Sequence, residues 1–179
     1  MKVRTKAYGE IEVEDRQLVR FHRGLFGFEG LRDFVILDAT QQPFYWLQST
    51  ERVEVAFVLI DPVFFRPDYT PDVDPAELTE IGIESPDDVL VFSIVTIPPS
   101  AQRMTANLQG PLVLNRRTHV GRQSISLNPR WGVRHVILDE LAQNNPSAIT
   151  GSSATSSPSP AAPGSSPAAP DPSSAARTS

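Results

Sequence analysis

Six consecutive apolar residues, Val55 to Ile60, stop abruptly at Asp61-Pro62. The run is far too short for a membrane helix, and β-branched Val55, Val58 and Ile60 favour a pleated strand; such a run predicts a strand buried on both faces at the centre of the core. Proline lacks the amide donor that a ladder requires, so the strand ends there. Upstream, Phe44-Tyr45-Trp46-Leu47-Gln48-Ser49 is rich in aromatics, and Thr50-Glu51-Arg52 forms a polar connection. The two runs therefore predict an antiparallel pair.

The remaining chain is organised around that pair. Val3, Thr5 and Ala7, then Ile11 and Val13, alternate with polar neighbours on either side of Tyr8-Gly9, which reads as an amino-terminal hairpin. Leu18 to Phe21 and Phe34 to Leu37 are further strands, separated by Gly24-Leu25-Phe26-Gly27-Phe28-Glu29-Gly30. Three glycines in seven residues imply positive φ or close backbone approach. The apolar side chains between them are expected to tuck into one end of a barrel, with one aromatic left for a partner.

Asp74 as N-cap, Pro75 at the first helical position and Glu77 three residues after the cap give one short helix ending near Gly82. Val89 to Ile97 is a second long β-type run, expected beside Val55 to Ile60. Met104 to Leu108, Leu112 to Asn115, Gln123 to Leu127 and Trp131 to Leu138 read as shorter strands. Many short strands without a βαβ rhythm predict an all-β, mainly antiparallel fold: a small, partly open β-barrel-like domain with one short helix. That domain spans residues 1–145, and residues 146–179, nearly all Ser, Ala, Pro, Gly and Thr, predict a disordered tail.

Composition narrows the function. With 16 basic and 21 acidic residues the chain carries a net charge of −5, against a nucleic-acid surface. There is no cysteine, which removes disulfide and thiolate chemistry. Met1 to Lys6 is basic but no apolar segment follows, so a soluble, cytoplasmic protein is expected. His22, His119 and His135 are far apart and share no ligand spacing. Asp87-Asp88 precedes a strand and reads as a turn, and Arg116, Arg117 and Arg122 read as a solvated basic hairpin tip. No nucleophile elbow, phosphate loop or dinucleotide fingerprint occurs, so neither catalysis nor a cofactor or metal is expected.

The loop after Pro62 stands out. Phe64, Phe65 and Tyr69 sit among Pro62, Pro67 and Pro71, too apolar for a solvated connector. They either cap the barrel or project as anchors for another protein. A rival reading makes the barrel a lipocalin-type container for a small molecule, lined by Phe44, Trp46 and Phe57.

Three stretches, taken together, resemble the flagellar assembly factor FliW family: Gly24-Leu25-Phe26-Gly27-Phe28-Glu29, then Val58-Leu59-Ile60-Asp61-Pro62 through Tyr69, then Ala106 to Asn115 with Gly121-Arg122-Gln123. Phe26 stands where that family is expected often to have proline, and the Ser/Ala/Pro tail lies outside the resemblance. The resemblance implies a non-enzymatic cytoplasmic barrel, a monomer when free, that binds flagellin as a chaperone. When not so occupied it would bind the translational regulator CsrA away from its RNA surface and relieve repression of flagellin synthesis. Neither direct nucleic-acid nor membrane contact is implied. The residues expected to meet partners are Phe64, Phe65 and Tyr69 as apolar anchors, with Asp61 and Asn107 as orienting polar groups.

Overall fold

The computed structural model describes residues 1–144. The expected disordered tail therefore lies outside the described residues. Among the described residues eleven strands form: β1 (Lys2–Thr5), β2 (Gly9–Glu12), β3 (Leu18–Phe21), β4 (Asp33–Asp38), β5 (Phe44–Ser49), β6 (Ala56–Ile60), β7 (Val89–Thr96), β8 (Thr105–Ala106), β9 (Leu112–Asn115), β10 (Val120–Gln123) and β11 (His135–Val136). Two helices accompany them, α1 (Pro75–Glu80) and α2 (Ile137–Asn144).

Strands β7, β6, β5, β4, β3, β10 and β9 follow one another around a ring, and β9 pairs back onto β7 to close it. The all-β, mainly antiparallel class read from the sequence holds; one pairing in the ring, β10 with β3, is parallel. Closure works because the long strand β7 divides one edge between two neighbours: Val89 to Phe92 take β9, whereas Val95 and Thr96 take the two-residue β8. On its other edge β7 pairs β6, with Leu59 opposite Ile94, and β6 pairs β5, with Tyr45 opposite Leu59, as expected for these runs.

Alternation around the ring sorts side chains into two layers. Phe21, Phe34, Leu47, Leu59, Leu112 and Leu114 fill the barrel, where the Phe21 and Phe34 rings meet edge to face at 5.6 Å. Outside the wall, Ile60, Val95, Ala106 and Leu108 pack against Phe65, Tyr69, Trp131 and Ile137 from the covering segments. The β1–β2 hairpin covers another part of the wall through Val3 and Val13 against Val35 and Leu37.

Four local expectations change. Ala56, Phe57 and Val58 are half-buried, so the organising run is not dry on both faces, and in a ring no strand is central. Lipocalin-type lining fails as well. Phe57 packs with the barrel interior, whereas Phe44 and Trp46 line an open pocket on the outer side of the wall, so the three do not line one interior cavity. The ladder of β10 ends at Gln123 and does not run on to Leu127. Finally, the Trp131 to Leu138 stretch yields only two strand residues before α2, because Ile137 and Leu141, four apart, pack the same outer layer while Asp139 and Glu140 occupy the first turn, where a helix favours anions.

Candidate functional site

The proline-framed loop is mostly structural. Asp61 is exposed and accepts a hydrogen bond from the Val63 amide at 3.0 Å, capping a one-turn 3-10 helix over Pro62–Phe64. That turn throws successive side chains to opposite sides: Phe64 is 48% exposed and Phe65 is 0% exposed. Tyr69 is also buried; its hydroxyl donates to the Leu108 carbonyl at 2.9 Å, and burial raises its phenol pKa above the ordinary range. Phe65 and Tyr69 are thus corrected from partner anchors to core. Their rings complete the outer layer, and removing them from it would leave Ile60, Leu108 and Trp131 uncovered.

A polar lattice fastens this loop to α2. The Arg66 guanidinium donates to both oxygens of Asp68 at 2.9 and 3.1 Å and to Glu140 at 3.0 Å, while Arg130 reaches Asp68 at 2.6 Å. Both guanidiniums lie over the Trp131 ring, at 4.9 and 4.8 Å from its centroid. Hydrogen bonding from Arg66, then Arg130, holds the Asp68 carboxyl well below the usual carboxylate range. His135 accepts from the Gly132 amide through Nε2 and contacts Glu140 through Nδ1, which places the proton of the neutral ring on Nδ1. These groups fasten elements together; their partners are satisfied internally.

Asn107 belongs elsewhere. Its Oδ1 accepts from the Gly110 amide at 2.8 Å, and it borders a shallow depression with Phe26, Gln109, Ile125 and Val133. The five residues singled out in the sequence therefore do not form one surface. The depression instead exposes an apolar face of which the sequence reading anticipated only an exposed aromatic in the glycine loop.

That face arises from an inverted alternation. After β10 the backbone stays extended beside the turn that precedes β9, with the Ser124 amide donating to Pro111 O at 2.9 Å and the Ser126 amide to Gln109 O at 2.8 Å. This register turns the serines inward and the aliphatics outward. Ser124 is 1% exposed, whereas Ile125 is 57% and Leu127 67% exposed. Among the described residues, the amide and carbonyl of Ile125 make no hydrogen bond, so the segment also offers a short sheet edge.

Phe26 joins the face through the glycine loop. Gly24 at φ +67° and Gly27 at φ +83° turn the chain, and a Cβ on Gly24 would lie 2.6 Å from both Glu29 Cα and Phe28 O. Leu25 is driven into the barrel, Phe28 stacks edge-on to Phe57 at 5.2 Å, and Phe26 remains exposed. Buried Gln123 ties the loop down, accepting from the Phe26 amide at 2.9 Å while donating to Gly110 O at 3.3 Å. Phe26, Ile125, Leu127 and Val133 thus stand exposed on a rigid frame. The available signal was the Ser-Ile-Ser-Leu alternation, but periodicity alone does not say which half faces water.

Among the described residues no three His, Asp or Glu side chains gather as a metal site. No described helix is long and apolar enough to cross a membrane.

Comparison with known proteins places this architecture. The family model described as FliW protein matches residues 2–137. The flagellar assembly factor FliW of Treponema denticola is 43% identical over 141 residues, covering 79% of this chain and 96% of that protein. Its counterpart in Treponema pallidum is 43% identical over 143 residues, with 80% and 95% covered, and that of Leptospira interrogans serogroup Icterohaemorrhagiae serovar Lai is 40% identical over 144 residues, with 79% and 96% covered. A crystal structure of the flagellar assembly factor FliW superposes with a TM-score of 0.72 at 35% identity, covering 76% of this chain and 96% of that one. The family is one of assembly factors and not of enzymes. On sequence and fold alike, the chain belongs to the FliW family.

Proposed function

We propose that this chain, a flagellar assembly factor of FliW type, works in the cytoplasm by binding two proteins in turn: flagellin, which it chaperones, and, when free of flagellin, the translational regulator CsrA, whose repression of flagellin synthesis it relieves. The observation that supports a binding function is the apolar face of Phe26, Ile125, Leu127 and Val133, held on a rigid frame with an unpaired stretch of backbone beside it. Large apolar side chains fixed by the fold lose little freedom on docking. Exposed Phe64 with Asp61 beneath it, and Asn107 at the rim of the apolar face, are the original candidates that remain available to partners. The net charge of −5 suits a basic RNA-binding regulator through steering. A flagellin molecule occupying the barrel would then release CsrA, the sign of the coupling being set by competition.

The test is calorimetric titration of the full chain with its cognate CsrA at low and moderate salt, repeated with flagellin already bound. Salt-sensitive binding of CsrA that flagellin abolishes is the expected result. Ile125→Ser and Leu127→Ser should each weaken at least one partner by about tenfold without lowering the melting temperature. Binding to flagellin alone would reduce the role to a chaperone, and binding to neither would overturn the proposal.

A further inference from the structure

Between Arg66 and Arg103 the chain carries eight carboxylates and no Lys, Arg or His. Folding neutralises half of them. Asp68 is held by Arg66 and Arg130, Glu77 and Glu80 by the largely buried Arg122 at 2.7 and 2.6 Å, and Asp88 by Arg117 at 3.1 Å. Among the described residues, Asp72, Asp74 and Asp87 have no cation within salt-bridge distance, and Glu84 meets only Arg117, at 3.5 Å with its side chain 82% exposed. The surplus charge is thereby gathered around α1 and the chain leading into β7.

There it surrounds an apolar groove. Val73, Leu78, Ile83, Val89 and Val113 form the floor, and among the described residues no basic side chain contributes to the lining. Pro71, Pro75 and Pro86 stiffen its walls, and Asp72 and Glu84 stand at the rim. At about 480 Å³ the groove falls within the usual size of ligand-holding clefts. Its far side is fixed rather than mobile: Asn115 donates to the Ile81 and Gly82 carbonyls at 3.0 and 2.8 Å, tying the end of α1 to the barrel wall. The Leu127 amide donates to the Asp72 carbonyl at 2.8 Å, so the groove abuts the apolar face.

We propose that the acid-rimmed groove between α1 and the start of β7 is a docking site for a cationic, aliphatic segment of a partner protein. Aliphatic side chains of the segment would cover the valine and isoleucine floor, and its Lys or Arg residues would meet Asp72, the largely exposed Glu84 and, next to the lining residue Pro86, Asp87. An acidic segment is repelled at the same rim, and a wholly apolar one leaves the carboxylates unanswered. The charge pattern and the floor select this chemistry together. The proposal stands on this groove alone and needs neither flagellin nor CsrA to be the partner.

The probe is a fluorescein-labelled synthetic peptide, Gly-Lys-Leu-Val-Lys-Ile-Leu-Arg-Gly, titrated with the full chain by anisotropy, and read residue by residue by amide chemical shifts of the labelled protein. Its control carries Glu in place of each Lys and Arg. The cationic peptide should bind, weaken as salt rises, and shift the amides of Val73, Leu78, Ile83 and Val89. The triple substitution Asp72→Asn, Glu84→Gln, Asp87→Asn, all at exposed positions, should weaken binding by about tenfold or more at unchanged melting temperature. Asparagine tolerates the φ of +44° at position 72. No binding, equal binding of the acidic control, shifts confined to other residues, or an unaffected triple variant would each overturn the proposal. None of these outcomes bears on the calorimetric test of flagellin and CsrA, which reads those proteins directly.

Discussion

Phe64 and Phe65 are chemically identical neighbours with opposite surroundings, and truncating each in turn measures what the 3-10 turn accomplishes. Phe65 is fully buried against the outer layer of Ile60, Tyr69, Trp131 and Ile137. Phe65→Ala removes a ring from a site framed by strands and by the Arg66 lattice, which cannot collapse to refill it, so the transfer and cavity terms add to about 3–5 kcal/mol. For a domain of this size that is a fall of roughly 10–15 °C in melting temperature. Phe64→Ala, at a half-exposed site, should stay within about 0.5 kcal/mol of the parent. Urea denaturation followed by tryptophan fluorescence reads both, since Trp131 belongs to the affected layer. A Phe65→Ala protein as stable as the parent would refute the assignment of this residue to the core and restore it as a partner anchor. The same result for Phe64→Ala would be no surprise; a large loss there would mean that the turn itself, and not burial, holds the layer together.

The glycine loop offers a second contrast: Gly27→Ala, with open space around its Cβ, should cost only the positive φ, about 1 kcal/mol, whereas Gly24→Ala also drives Cβ into the backbone of Phe28 and Glu29 and should cost about 3 kcal/mol or more in the same denaturation assay. Asp68 gives a pH dependence. Because its folded pKa is depressed, its stabilising contribution is complete above the unfolded carboxylate pKa of about 3.9 and fades as pH falls from there toward the folded value. Asp68→Asn should therefore lower the melting temperature at pH 7, and the gap to the parent should narrow in melts taken below about pH 4. A gap that stays constant with pH would show that the Asp68 carboxylate contributes shape rather than charge.

Much of the barrel was legible because its strands announce themselves through uninterrupted β-type runs and turn residues. Val55 to Ile60, Phe44 to Ser49 and Val89 to Ile97 each became a ring strand in the pairing their order implied. The α1 helix was equally plain from Asp74 and Pro75, whose cap is formed with the Ala76 amide at 2.8 Å. What stayed hidden depends on contacts between distant segments. Nothing local tells that β7 shares one edge between β9 and β8, which is what closes the ring. The α2 helix was obscured because Val136-Ile137-Leu138 is locally as good a strand, and only the packing of Ile137 and Leu141 on the outer layer decides for helix.

The burial of Phe65 and Tyr69 and the exposure of Ile125 and Leu127 were hidden by the same cause. Apolar residues in a proline-framed loop and apolar residues in an alternating strand look like opposite cases: the first conspicuous and therefore functional, the second orderly and therefore core. In the folded chain both are reversed. The loop is covered because Arg66 and Asp68 draw α2 and Trp131 over it, leaving Val63 and Phe64 outside. The alternating segment is uncovered because buried Gln123 and the Ser124 and Ser126 amides fix a register in which the small polar residues fit the crowded side. Burying serines while exposing isoleucine and leucine lowers the stability of the isolated chain, since the apolar area left in water is worth about 25 cal/mol per Å² if covered. Shifting the segment by one residue would recover that energy, but Gln123 could not then bridge Phe26 to Gly110. The frame that presents Phe26 and the register that presents Ile125 and Leu127 are thus one device, joined at the buried Gln123 side chain.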